Sequence, residues 1–391
     1  MGWFDDAVER RNAEIAAEGR WRQVRTLTGG GPLTEVVADG RTVVQFAAND
    51  YLGLGTHPAV SEAAAAEARR TGTGSGASRL IVGSRPVHDE LEDALARQWS
   101  PLVGSDAGAL LFPTGYAANL GTLTTVVRAA GAQDTVVLSD ELNHASIIDG
   151  VRLSRAEVAV YPHADLDALE RLLSERRRSR AVVVSDMVFS MDGDVADATG
   201  LAERCARHDA LLVLDVAHDV FGALLAQAAQ IRANGATVVV VGTSSKTLGA
   251  LGGWLVAARP TVELALNTAR SFIFTTAPSP PDTAAALTAL RLLQGDEGRR
   301  LRETLRANVD HLAPGHPSPI VPVVLGSERR ALEVAATLLD DGLLVPAIRP
   351  PTVPEGTCRL RIAVSAAHTP EQLDRLRSGL ARAGVELEGR P

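Results

Sequence analysis

From about residue 86 onward, apolar residues come as short unbroken runs separated by stretches with a helical period. The runs occupy positions 109–112, 135–139, 158–161, 181–185, 211–215, 237–242 and 254–257. Side chains alternate between the two faces of a strand, so an unbroken run implies that both faces are covered. Strands of this kind alternating with helices predict crossover connections. The expected result is a large doubly wound α/β domain, a mostly parallel sheet flanked by helices.

Outside that region the pattern changes. An amphipathic helix is expected from Trp3 to about Ile15, followed by a basic segment with Arg20, Arg22 and Arg25 and a short strand pair near 36–37 and 42–46. Small residues at 58–70 predict a helix that runs into a Gly/Ser loop at 72–79. An Ala/Leu-rich helical region extends from Thr283 to about Leu312, where Pro314, Pro317, Pro319 and Pro322 break the period. The remainder reads as strand, helix (328–339), strand (359–364) and helix (370–383). The expected organisation is an N-terminal helix with short strands (1–45), a large domain (46–280) and a smaller α/β C-terminal domain (281–391) that includes the long linking helix.

Composition narrows the function classes. A chain of 391 residues can hold one large core and a smaller one. Its 46% apolar and 22% charged residues are those of an ordinary globular protein, and a net charge of −8 argues against a nucleic-acid surface. The run Arg176-Arg177-Arg178 closes a helical stretch, where cations match the helix dipole. Cys205 and Cys358 lie in apolar runs without metal-ligand spacing, which predicts buried free thiols. Neither a signal segment nor an apolar run long enough to span a membrane is visible, so the expected location is the cytoplasm.

Ligands of open parallel sheets bind at the carboxyl ends of the strands. There the run 211–215 ends in Asp215-Val216-Ala217-His218, and the run 237–242 leads into Thr243-Ser244-Ser245-Lys246. The run 109–112 ends in Pro113-Thr114-Gly115-Tyr116 and opens a helix, and 135–139 leads to Asn143-His144-Ala145-Ser146. An acid, a lysine, two histidines and a phosphate-ready helix start would share one crevice. Pyridoxal phosphate needs such parts: a lysine for the Schiff base, a carboxylate to keep the pyridine nitrogen protonated, a helix N-terminus for the phosphate and a ring to stack. Each residue has a plainer reading, since Asp215 can cap the next helix and a histidine alone is usually structural. The glycines at 72–76 lack dinucleotide-binding spacing and no phosphate-loop or nucleophile-elbow motif occurs. Asp215, His218 and Asp219 have no further ligand cluster, so no metal is expected.

Several motifs then fall into a known order. They are Asn49-Asp50-Tyr51-Leu52-Gly53-Leu54, the loop at 74–79, His144-Ala145-Ser146, Val188-Phe189-Ser190-Met191-Asp192-Gly193-Asp194, Thr243-Ser244-Ser245-Lys246, Ile348-Arg349-Pro350-Pro351-Thr352-Val353-Pro354 and Arg359-Leu360-Arg361. Over nearly its whole length the chain resembles the α-oxoamine synthases of the fold type I pyridoxal-phosphate enzymes. The stretch around Thr352 looks most like the biotin-pathway branch, which makes 8-amino-7-oxononanoate. The resemblance implies decarboxylative condensation of L-alanine with a pimeloyl thioester, on coenzyme A or a carrier protein, in a homodimer with active sites at the subunit interface. By position it implies that Lys246 carries the cofactor and moves protons, Asp215 faces the pyridine nitrogen and His144 stacks on the ring. Ser190 and His218 would lie beside the phenolic oxygen, while Gly115, Tyr116 and Thr243 hold the phosphate, with Thr276 reaching it from the partner subunit. Arg361, or else Arg359, would bind the amino-acid carboxylate, with Asn49 and Thr352 near the substrate.

The chain departs from the family pattern just after Asp215. Val216 stands where the family has an acidic residue, Asp219 where it has glycine, and the segment from Phe221 to Gln227 replaces a Gly-rich loop. That change bears on the acyl donor more than on the cofactor. Two other readings accompany the first: an α-oxoamine synthase for another amino acid or thioester, and a catalytically silent pairing subunit. Lys246 argues against the latter.

Overall fold

The computed structural model describes residues 2–387. Its main sheet has seven strands in the spatial order Ala107–Phe112, Gly253–Ala258, Thr237–Thr243, Leu211–Asp215, Arg180–Asp186, Thr135–Asp140 and Glu157–Tyr161. Gly253–Ala258 runs antiparallel to both neighbours and all other pairings are parallel. The unbroken apolar runs have a direct physical cause. Val182, Val184, Val213, Val239 and Val241 enter one core, beneath the helices Gly115–Ala130 and Ala145–Ser154. Their neighbours Val183, Leu212, Leu214, Val238 and Val240 enter the other. Because both faces are covered, no polar alternation survives in these strands.

The C-terminal region forms a second sheet of three antiparallel strands, Ile320–Gly326, Cys358–Ala363 and Ala347–Ile348, with the helices Glu328–Asp340 and Pro370–Arg382. The N-terminal hairpin Leu33–Val36 and Arg41–Gln45 is extended by Leu343–Leu344, which pairs parallel to its second strand. A third contact matters for the site: the Ala363 backbone N–H donates to the Phe46 carbonyl at 2.9 Å and Ala366 to Tyr51 at 2.8 Å. These bonds seat the segment carrying Asn49 and Tyr51 beside the strand that carries Arg359 and Arg361.

The expected single linking helix is two. Pro280–Gln294 ends at Gly295, and Asp296–Leu312 starts directly after it. The corner is tight, since a Cβ on Gly298 would lie 2.3 Å from the Leu293 backbone. Cys205 and Cys358 are buried and unpaired. Arg176 closes the helix Leu166–Glu175 by donating to the Leu173 carbonyl at 2.6 Å. Among the described residues no helix is long and apolar enough to cross a membrane.

Candidate active site

The carboxyl ends of the parallel strands open into a crevice lined by Gly115, Asn119, His144, Asp215, His218 and Lys246, with Thr243, Tyr116, Ser146 and Asp186 among the rest of its wall. Four strand ends, read separately in the sequence, thus converge on one site. Its floor is Asp215, 6% exposed at the end of its strand. One carboxylate oxygen accepts from the Asn119 amide at 2.6 Å and the other from the Ala217 backbone at 2.8 Å. The same Asn119 amide donates to Ser146 Oγ at 2.9 Å, and Ser146 Oγ lies 2.7 Å from His144 Nδ1. A hydrogen-bond network therefore ties the acid to the His144 ring.

Asn119 and Asp186 escaped the sequence reading. Asp186 ends the adjacent strand in direct register with Asp215, and it accepts the His144 backbone N–H at 2.7 Å. The logic that singles out Asp215, a carboxylate after an unbroken apolar run, applies to it equally. Burial, and then the neighbouring charge of Asp215, push its carboxyl well above the usual range. Asn119 sits one turn into the helix Gly115–Ala130, and its sequence context carries no such mark.

That helix starts on Thr114, whose hydroxyl accepts from the Ala117 N–H at 3.1 Å. A Cβ on Gly115 would lie 2.9 Å from Thr243 Cβ, so only glycine lets the helix start rest on Thr243. Thr243 Oγ1 in turn lies 2.7 Å from Ser245 Oγ. Backbone N–H groups and hydroxyls at a helix N-terminus form an anion cradle of the kind that takes a phosphate.

Lys246 is the single lysine in a sequence with 39 basic residues, all the others being arginine. A chain that uses arginine for every other cation keeps a primary amine at one place, in this crevice. Its Nζ lies 2.8 Å from His218 Nε2, and desolvation lowers its pKa despite the opposing pull of Asp215 and Asp186. Burial also holds His144 and His218 below the usual imidazole range, with Lys246 adding to both shifts. The donor set fits pyridoxal phosphate: an amine, a carboxylate at the end of the neighbouring strand, a histidine and an anion cradle.

Arg361 is 5% exposed, and no carboxylate pairs with it among the described residues. Its Nε donates to the Ser190 carbonyl at 2.5 Å and its Nη2 to Asn49 Oδ1 at 3.0 Å. Arg359, by contrast, is committed to Asp192. Ser190 meets the site through its carbonyl. Thr352 and Thr276 are both exposed, and neither lines this chain's own crevice.

Residues 41–380 match the family model for aminotransferases of class I and II. The chain belongs to that family. Within it, the chain is 43% identical to 8-amino-7-oxononanoate synthase from Paraburkholderia xenovorans, over 97% of this chain and 98% of the relative. It is 46% identical to the enzyme of the same name from Anaeromyxobacter dehalogenans, over 90% and 88%. Among solved family structures, serine palmitoyltransferase from S. paucimobilis with a bound PLP–myriocin aldimine superposes with a TM-score of 0.84 at 28% identity, covering 97% of this chain and 98% of that one. The α-oxoamine synthase resemblance and the fold type I architecture are both borne out.

The segment that departs from this family's pattern has a visible structural role. Asp219 accepts the Ala223 N–H at 2.7 Å and the Leu224 N–H at 3.0 Å, capping the short helix Ala223–Ala226. Phe221 lies beneath the Arg306 guanidinium, 5.1 Å from it. The carboxylate of Asp219 is thus occupied by backbone.

Proposed function

We propose that the chain catalyses the decarboxylative condensation of L-alanine with a pimeloyl thioester to give 8-amino-7-oxononanoate, a step of biotin biosynthesis, with pyridoxal phosphate as cofactor. The observation that carries the reading is the single lysine, set in a crevice with Asp215, His144 and the anion cradle at Gly115 and Thr243. Identity of 42–46% to relatives of that name favours L-alanine and the pimeloyl group over the serine and longer acyl chain of a palmitoyltransferase.

When bound, pyridoxal phosphate supplies an electron sink for the carbanion formed at the amino-acid α-carbon. Asp215, its carboxylate fixed by Asn119, would hold a proton at the pyridine nitrogen. Gly115, Tyr116 and Thr243 would bind the phosphate, and His144 would cover the ring. Lys246 removes and returns the α-proton as a general base and acid, helped by an amine pKa already lowered by burial. Arg361 and Asn49 orient the amino-acid carboxylate that leaves as carbon dioxide. Arg359, paired with Asp192, holds the loop that Arg361 leans on.

The working unit in this reading is a homodimer in the cytoplasm. Ile81, Val82 and Phe274 are 74%, 70% and 69% exposed. They lie on neighbouring segments joined by the Ala277 N–H donating to Ala77 at 2.9 Å. In this reading a second copy covers the patch, and its Thr276 reaches the phosphate site as the family resemblance implies. The test is release of labelled carbon dioxide from carboxyl-labelled L-alanine. Release that requires pimeloyl-coenzyme A supports the reading; release with serine or glycine but not alanine overturns the substrate assignment.

A further inference from the structure

Tyr51 belongs to none of the roles above, yet it is fully buried and its hydroxyl joins the two ends of the site. Its Oη lies 2.6 Å from His218 Nδ1 and 3.1 Å from Asn49 Oδ1, and it accepts from Arg361 Nη2 at 3.4 Å. On its far side, His218 Nε2 meets Lys246 Nζ at 2.8 Å. A continuous chain of hydrogen bonds therefore runs from Arg361 through Asn49, Tyr51 and His218 to Lys246.

The two ends of the chain fix its direction. A guanidinium only donates, so the Asn49 atom that Arg361 meets is the carbonyl oxygen. That oxygen can receive, but not supply, a hydrogen, so the Tyr51 hydroxyl donates to it. The tyrosine oxygen is then left to accept from His218 Nδ1–H. At the other end a protonated amine also only donates, so Nε2 of His218 must present its lone pair to Lys246. Both ends demand the same arrangement of the imidazole. Burial pushes the Tyr51 hydroxyl up to about 12, with Arg361 opposing, so the group keeps its proton throughout the neutral range.

We propose that Tyr51 is a positioning residue: with Asn49 it fixes His218 as the Nδ1–H tautomer in the cofactor-free chain and links the Lys246 amine to the carboxylate-recognising Arg361. This rests on the proposed function for the roles of Lys246 and Arg361, and on geometry alone for the tautomer. Free imidazole side chains prefer the other tautomer, so the setting must be imposed by Tyr51 and Asn49. The lone pair on Nε2 then accepts an N–H of the Lys246 amine and aims that amine, while the imidazole stays neutral because burial, Lys246 and Arg361 hold its pKa well below the usual range.

The test is Tyr51→Phe, which removes one hydroxyl and keeps the buried ring. Nitrogen-15 NMR of histidine-labelled, full-length, cofactor-free protein reads the tautomer, with His218→Gln assigning the signal. The expected result is Nδ1–H in the unmodified chain and a mixture rich in Nε2–H in Tyr51→Phe. In the cofactor-loaded variant, exchange of the L-alanine α-proton without thioester should fall by about 10-fold or more, while cofactor binding stays unchanged. An Nε2–H signal in the unmodified chain, or an identical tautomer in both proteins, overturns the proposal. Because the NMR measurement involves no substrate, the expected tautomers support the assignment even in a chain that fails the carbon dioxide assay.

Discussion

Arg361→Ala separates the two substrates. The side chain is 5% exposed, its hydrogen bonds go to Ser190, Asn49 and Tyr51, and it lacks a carboxylate partner among the described residues. A buried guanidinium without a counter-charge is set to receive one, and in the proposed reaction the amino-acid carboxylate supplies it. Losing one partner of a buried, hydrogen-bonded charge pair costs about 2–5 kcal/mol, which is roughly 30- to 4,000-fold in affinity. A rise of about 100-fold in KM for L-alanine, inside that range, is the expectation. The thioester KM should move by less than about threefold, since uniform binding of the second substrate does not involve this group. Steady-state kinetics with each substrate varied in turn makes the comparison. Arg359→Ala is the comparison: its charge is paired with Asp192, so it should lower the melting temperature and raise the alanine KM far less than Arg361→Ala does. Equal changes in both KM values for Arg361→Ala, or an alanine effect from Arg359→Ala as large as that from Arg361→Ala, would refute the reasoning.

Two further predictions concern structure more than chemistry. His163 bridges Asp140 at 3.1 Å and Asp194 at 2.7 Å, and these bonds raise its pKa to about 10. The raised value means that its stabilisation is complete below the unfolded pKa near 6.5 and is lost as pH climbs through about 10. His163→Gln should therefore cost about 2 kcal/mol at pH 7 and much less at pH 11, read from denaturant midpoints of the two proteins; a pH-independent difference would contradict the charge assignment. Asp219→Ala removes the cap of the helix Ala223–Ala226 and should cost about 1 kcal/mol while leaving the preference between thioesters unchanged. A changed acyl preference would give the divergent segment a role in donor recognition.

What the sequence disclosed follows from the range of the interactions involved. The strands were legible because each carries an unbroken apolar run that lies inside the strand that forms; burial on both faces explains those runs in the sheet interior, but not in the edge strand Glu157–Tyr161, where Val158 and Val160 are exposed. Lys246, Asp215, His144 and Gly115 were legible because each follows such a run, where a parallel sheet delivers its ligands. Gly295 was not read as a helix break, since a glycine within a helical period is often tolerated and no proline follows it. Asp186 was missed although it follows the same rule as Asp215. Tyr51 lies beyond any local signal, because its partner His218 is 167 positions away and Arg361 310 positions away. Its role exists only once the strand carrying Arg361 and the segment carrying His218 are brought beside it. The difference between Arg359 and Arg361 is of the same kind: two arginines alternate on one strand, and only the fold shows that Asp192 takes the first.

The central claim is that Lys246 carries the cofactor, and a sequence with one lysine makes it unusually direct to test. The protein is incubated with pyridoxal phosphate, reduced with borohydride, digested and mapped by mass spectrometry. The account predicts one phosphopyridoxyl group per chain, on the peptide containing Lys246, and none in Lys246→Ala. An unmodified Lys246 peptide, or a label confined to the N-terminal amine, would contradict it.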